Sequence, residues 1–151
     1  AAAIPQNHDA ATYCGMIRKS DGRLSLQESA VTIDRMVRAY TPWPGVVCLW
    51  EGQQLQILEA EPGDRVQPGQ YASRNGGMDG RTEPGDGPVS PTSPPPGTVL
   101  GVDNGLGILL QTTDGILGIG RLKLQSRKPL DWRSFVNGNK AILNAQLDPA
   151  R

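Results

Sequence analysis

Three short acid–glycine stretches, Glu51-Gly52, Asp103-Asn104-Gly105 and Asp114-Gly115, cut the chain into apolar runs too brief for long helices. Asp, Asn and Gly tolerate the positive backbone angles that tight reversals need, so each stretch reads as a turn between two strands. The runs they bound are Val46–Trp50, 53–60, 98–102, 106–112 and Ile116–Leu124. Within 53–60, Leu55 and Ile57 alternate with Gln54 and Gln56. In the last run Leu122 and Leu124 share one face, which leaves Arg121 and Lys123 on the other. Five strands joined in this way predict a mainly β chain, a small barrel that is closed or partly closed.

Helical patterning is confined to the two ends of this set. Ser25-Leu26-Gln27-Glu28 has the spacing of a capping box, and Ala30, Ile33, Val37 and Tyr40 follow at intervals of three and four. The pattern predicts a helix over 26–40, ended by Pro42 and turned by Pro44-Gly45. Asp131 is placed to cap a short helical turn over 132–137 that Gly138 stops. Between the second and third strands lies different material. Eight glycines and eight prolines fill 16 of the 37 positions from 61 to 97. Such a stretch cannot bury enough apolar surface to offset its ordering entropy, so it is expected as a long inserted loop.

Fifteen Lys and Arg balance fifteen Asp and Glu over the 151 residues, which excludes a uniformly basic nucleic-acid protein. The balance is uneven along the chain. Residues 118–151 carry seven basic groups against Asp131 and Asp148, whereas residues 59–117 carry three against eight acids. Cys14 and Cys48 stand 34 positions apart without a CxxC, which allows one pairing or two free thiols and argues against a disulfide framework. No apolar run approaches the ~18 residues of a membrane span. The N-terminal stretch lacks the charged start and apolar centre of a signal peptide, so it reads as a linker or a cut end.

Catalytic chemistry finds little support. His8 is the sole imidazole and sits in a polar N-terminal stretch, one histidine with two distant cysteines does not make a zinc set, and Gly118-Ile119-Gly120 continues into neither a dinucleotide fingerprint nor a phosphate-binding lysine motif. No catalytic, cofactor-binding or metal-ligating residue is assigned.

The stretch SAVTIDRMVRAYTPWPG is followed by Leu55-Gln56-Ile57-Leu58-Glu59-Ala60 and Pro96-Gly97-Thr98-Val99-Leu100. Gln111-Thr112-Thr113-Asp114-Gly115 and Trp132-Arg133-Ser134-Phe135-Val136-Asn137-Gly138 come next, in order. These blocks resemble the C-terminal domain of methionyl-tRNA formyltransferase, with Gln6 and Ala11-Thr12-Tyr13 resembling its interdomain linker. The resemblance implies a small OB-like Greek-key β-barrel with an N-terminal helix and a short C-terminal helix. It divides the chain into a linker over 1–24, a barrel domain over 25–140 with the 61–95 loop inserted, and a tail over 141–151.

The resemblance also implies partners. In the family a separate Rossmann-like catalytic domain binds 10-formyltetrahydrofolate as co-substrate and formylates the methionine on initiator tRNA, a cytoplasmic step of translation initiation. The barrel and linker hold the tRNA through basic groups, which makes Arg18, Lys19, Arg121, Lys123, Arg127 and Lys128 the candidate contacts here. The family's catalytic Asn, His and Asp come from separated positions of the other domain, so the adjacent Asn7-His8-Asp9 matches them in letters only. Two departures stand out: the 61–95 loop is longer and more acidic than the family pattern, and the linker's basic groups are only Arg18, Lys19 and Arg23. The alternative is a structural module of a sugar formyltransferase or a formyltetrahydrofolate dehydrogenase, in which the basic strand is an ordinary solvated face. A free-standing single-strand binder would need stacking aromatics, and the helix and its turn are expected to take Tyr40 and Trp43 into packing.

Overall fold

Glu51 and Gly52 both take positive φ, 49° and 74°, and reverse the chain between β1 (Val46–Trp50) and β2 (Gln53–Pro62). A computed structural model of the protein describes residues 3–63 and 94–150, so the reading of 61–97 as a long loop falls mostly outside the described residues. Three further strands follow as a meander: β3 (Val99–Asp103), β4 (Gly107–Gln111) and β5 (Ile116–Leu124). The Asp103 carboxylate accepts from the Gly105 and Leu106 N–H groups (2.8 and 3.0 Å) and so fixes the β3–β4 turn. Two strands of two residues, β6 (Leu130–Asp131) and β7 (Asp148–Pro149), bring the described sheet to seven where the sequence pattern marks five.

The sheet runs β3-β4-β5-β2-β1-β7, with β6 added to β5. Chain leading into β7 turns back to the far edge. The Val99 N–H donates to the Ala145 carbonyl and the Leu147 N–H to that of Gly97, both at 2.8 Å. The stretch from Ala145 to Pro149 thus pairs with the start of β3 on one side and with β1 on the other, and it curls the sheet into an OB-like barrel. Residues 141–151, expected as a tail, therefore include barrel chain, and Ile142 and Leu147 are buried in its core.

Helix α1 (Ala30–Tyr40) lays Ala30, Ile33 and Val37 against the sheet, as its spacing predicts. Its start differs from the expected one. Ser29, not Ser25, is the cap, its hydroxyl accepting from the Thr32 N–H at 3.2 Å, and the Ser25 hydroxyl instead accepts from Gln27 in a preceding turn. The reason lies in Leu24 and Leu26, which are buried while Arg23, Ser25 and Gln27 are exposed. That period of two, begun by the Leu24 N–H donating to the Val47 carbonyl at 2.8 Å, buries two leucines that a helix from 26 would separate. Helix α2 (Trp132–Gly138) closes the other end and buries Phe135 against Trp50, ring centroids 5.9 Å apart.

Both cysteines are free. Cys14 is exposed and Cys48 is buried on β1, where desolvation and then the negative Asp148 push its thiol up to about 12. A thiol reagent near pH 8 is therefore expected to titrate one group in the native protein and two in denaturant. Two rapidly reacting native thiols would contradict this packing.

Candidate nucleic-acid interface

The outward residues of β5 are held in place by its register with β2. Leu124 pairs with Leu55 and Leu122 with Ile57, all buried, so Lys123 stands outside opposite Gln56. A bulge at Leu58 then brings Glu59 rather than Leu58 opposite Arg121. The Arg121 guanidinium approaches the Glu59 carboxylate at 3.6 Å with both groups well exposed, and on its other side Arg121 pairs in register with Asp131 of β6. Arg121 is thus partly neutralised, whereas the β2 neighbour of Lys123 is a neutral amide.

Continuing the row across the sheet joins the two clusters of candidate residues. Lys123 is opposite Gln56, Gln56 opposite Val47, and Val47 bridges to Arg23 in the segment before α1. At about 4.8 Å per strand, Lys123 and Arg23 lie roughly 14 Å apart on one outer face. Next to this row, Lys19, Ser20, Arg23, Pro44, Val47, Gln54 and Ala150 line a cleft of about 230 Å³. It is small beside the clefts of ~300–1,000 Å³ that enclose drug-sized ligands. The turn Lys19–Gly22 that supplies its basic wall is held by the Arg18 N–H donating to the Asp21 carboxylate at 2.8 Å. That turn is seated by Gly22, where a Cβ would collide with the Gly45 carbonyl.

Arg127 and Lys128 come just after Gln125, whose N–H donates to the carbonyl of the lining residue Gln54 at 2.8 Å. Both are exposed at the same end of the sheet. The structure therefore puts Lys19 beside Gln54 and Lys123 opposite Gln56, leaves Arg127 and Lys128 exposed in the turn that follows β5 at the same end of the sheet, and sets Arg121 farther along between two acids. Arg18 is exposed but does not line the cleft. Arg23, left out of the candidate set, is central to it. Its bridge to Val47 is a long-range pairing that leaves no local signature.

Trp43 departs from its expected packing role. It is 60% exposed in the turn after α1, although the turn itself forms as predicted, with the Gly45 N–H donating to the Tyr40 carbonyl at 2.9 Å. The Asn7-His8-Asp9 triplet forms a single turn in which the Asn7 side chain accepts from the Asp9 N–H at 3.0 Å. Among the described residues no three His, Cys, Asp or Glu could jointly hold a metal ion, and no helix is long and apolar enough to cross a membrane.

Asp131 ends β6 and caps α2, accepting from the Arg133 and Ser134 N–H groups at 3.0 and 3.1 Å. Hydrogen bonds from Ser134, its side chain first and then its backbone, hold this carboxyl below the ordinary value. A carboxylate depressed in the folded state stabilises above its unfolded pKa and loses that effect as pH falls through the lower folded value. Amide exchange in α2 is therefore expected to quicken as pH drops below about 4, relative to the intrinsic rate. In Asp131→Ala that extra change is expected to vanish; its survival would assign the pH effect to another carboxylate.

The formyl transferase C-terminal domain family matches residues 16–140 of the chain. The chain is 33% identical over 141 residues to the methionyl-tRNA formyltransferase of Treponema denticola, an alignment covering 93% of the chain and 38% of that relative. It is 32% identical over 134 residues to that of Chloroflexus aurantiacus, covering 89% and 35%. With the Legionella pneumophila protein of the same name it shares 30% identity over 142 residues, covering 94% and 37%. The chain thus spans less than two fifths of the length of these relatives.

Proposed function

The chain belongs to the formyl transferase C-terminal domain family, and from that premise we propose that it is the tRNA-holding domain of a methionyl-tRNA formyltransferase, working in the cytoplasm at translation initiation. In this reading the formyl transfer, with 10-formyltetrahydrofolate as co-substrate, belongs to a Rossmann-like catalytic domain of the same enzyme. The observation that carries the role is the row from Arg23 through Val47 and Gln56 to Lys123, which puts a cation of the segment before α1 and a cation of β5 on one outer sheet face.

Such a face suits a folded RNA. Lys and Arg reach phosphates without reading bases, and A-form helices are recognised by shape and backbone more than by sequence. Four to six contacts at roughly 0.7–0.9 each give a slope of about −3 to −5 in log affinity against log salt. The test is a titration of initiator tRNA by anisotropy between about 50 and 200 mM salt. A flat or absent response would leave the chain as a structural module of another formyl-transferring enzyme.

A further inference from the structure

We propose that the cleft beside Trp43 is a subsite for one unpaired RNA nucleotide, its phosphate between Lys19 and Arg23 and its base stacked on the exposed indole. The inference rests on the RNA-binding reading and adds to it a preference for single-stranded segments. Of the three tryptophans, Trp50 is buried against Phe135, and Trp132 is half-buried with the Arg133 guanidinium 5.0 Å above its ring. Trp43 alone of the three is mostly exposed. Its chain neighbour Pro44 lines the cleft, and Gly22, next to Arg23, packs on Pro44 and Gly45. An exposed aromatic thus stands one residue along the chain from a cleft wall that carries two cations, and that pairing is the combination that binds single strands: stacking for the base, charge for the backbone.

The charges at the cleft favour an anion. Neither Lys19 nor Arg23 makes an ion pair among the described residues. The nearest acid on the same turn, Asp21, accepts from the Arg18 N–H and, at a long 3.4 Å, from the Ser20 hydroxyl. Asp148, exposed two residues before the lining Ala150, is a further acid near this end. The charged residues lining the cleft are the cations Lys19 and Arg23, and Ser20, Pro44, Val47, Gln54 and Ala150 add no charged side chain. A cleft this small leaves a base outside it, free to stack on an exposed ring. Bases of a duplex are already stacked on each other, so only an unpaired nucleotide can use both parts.

The experiment compares a single-stranded oligouridylate with a blunt RNA duplex of equal charge, read by anisotropy and by tryptophan fluorescence. Trp43→Ala is expected to weaken oligouridylate binding on the order of 5- to 100-fold while leaving the salt slope and the duplex affinity unchanged. Trp43→Phe, which keeps a ring, is expected to recover most of the affinity and to lose the fluorescence quench that accompanies binding. Lys19→Gln with Arg23→Gln is expected to lower the slope by about 1.4 and keep the quench. If Trp43→Ala and the wild type bind oligouridylate alike, or the loss is equal for both RNAs, the subsite is refuted and Trp43 is a contact for another protein domain. A wild type that binds neither RNA nor initiator tRNA overturns the RNA reading and the subsite together. Binding of tRNA with the expected salt dependence but indifference to Trp43 overturns the subsite alone.

Discussion

Reversal of Arg121, Lys123, Arg127 and Lys128 to Glu is expected to weaken initiator-tRNA binding on the order of 100- to 1,000-fold near 0.1 M salt. Four phosphate contacts at roughly 0.7 each carry nearly three decades of affinity relative to 1 M salt, and the slope should flatten by about 3. The fold should tolerate the change. All four side chains lie outside the core, and the pair broken, Arg121 with Glu59, is solvent-exposed, a class worth ~0–1 kcal/mol. A new Glu at 121 would face Glu59 and Asp131, so the melting temperature should fall by a few degrees at most, at roughly 2–4 °C per kcal/mol. Single reversals should rank by surroundings, with Lys123 costing more than Arg121, because two acids already offset Arg121. A fourfold variant that binds tRNA as the wild type does would reduce this face to a solvated strand.

The parts of the fold legible in the sequence are those decided locally. β1 and β5 begin and end where the apolar runs do, because Glu51-Gly52 and Asp114-Gly115 set the reversals next to them. Asp131 and Gly138 bracket α2 for the same reason. Two serines four residues apart could each cap α1, and local rules cannot choose between them. The choice falls to Leu26, which the core takes from the turn that precedes α1. The candidate interface divides in the same way. The outward pair Arg121 and Lys123 follows from strand alternation alone, while Arg23 joins the face only through a bridge to a strand 24 residues later. Trp43 misled because burial of an aromatic at a turn depends on neighbours from distant segments, which its local sequence does not show.

The C-terminal segment is where local reading fails most, and where the largest stability effect is expected. The family match ends at residue 140, yet Ile142 and Leu147 are each about 1% exposed beyond it. Burial of two such side chains contributes roughly 1.5–3 kcal/mol each. The backbone bonds from Val99 to Ala145 and from Leu147 to Gly97, with the β1–β7 pairing, add about 1 kcal/mol apiece. The total, roughly 6–9 kcal/mol, is comparable with the 5–15 kcal/mol that holds a domain of this size together. Truncation after Lys140 is therefore expected to abolish the cooperative melting transition, since it unpairs the start of β3 and the edge of β1 at once. Leu147→Ala, a milder change at the seam, should cost about 2–5 kcal/mol and lower the melting temperature by roughly 5–20 °C. Scanning calorimetry of both proteins decides the matter. If the truncated chain melts within a few degrees of the full one, the last residues lie on the barrel and do not close it.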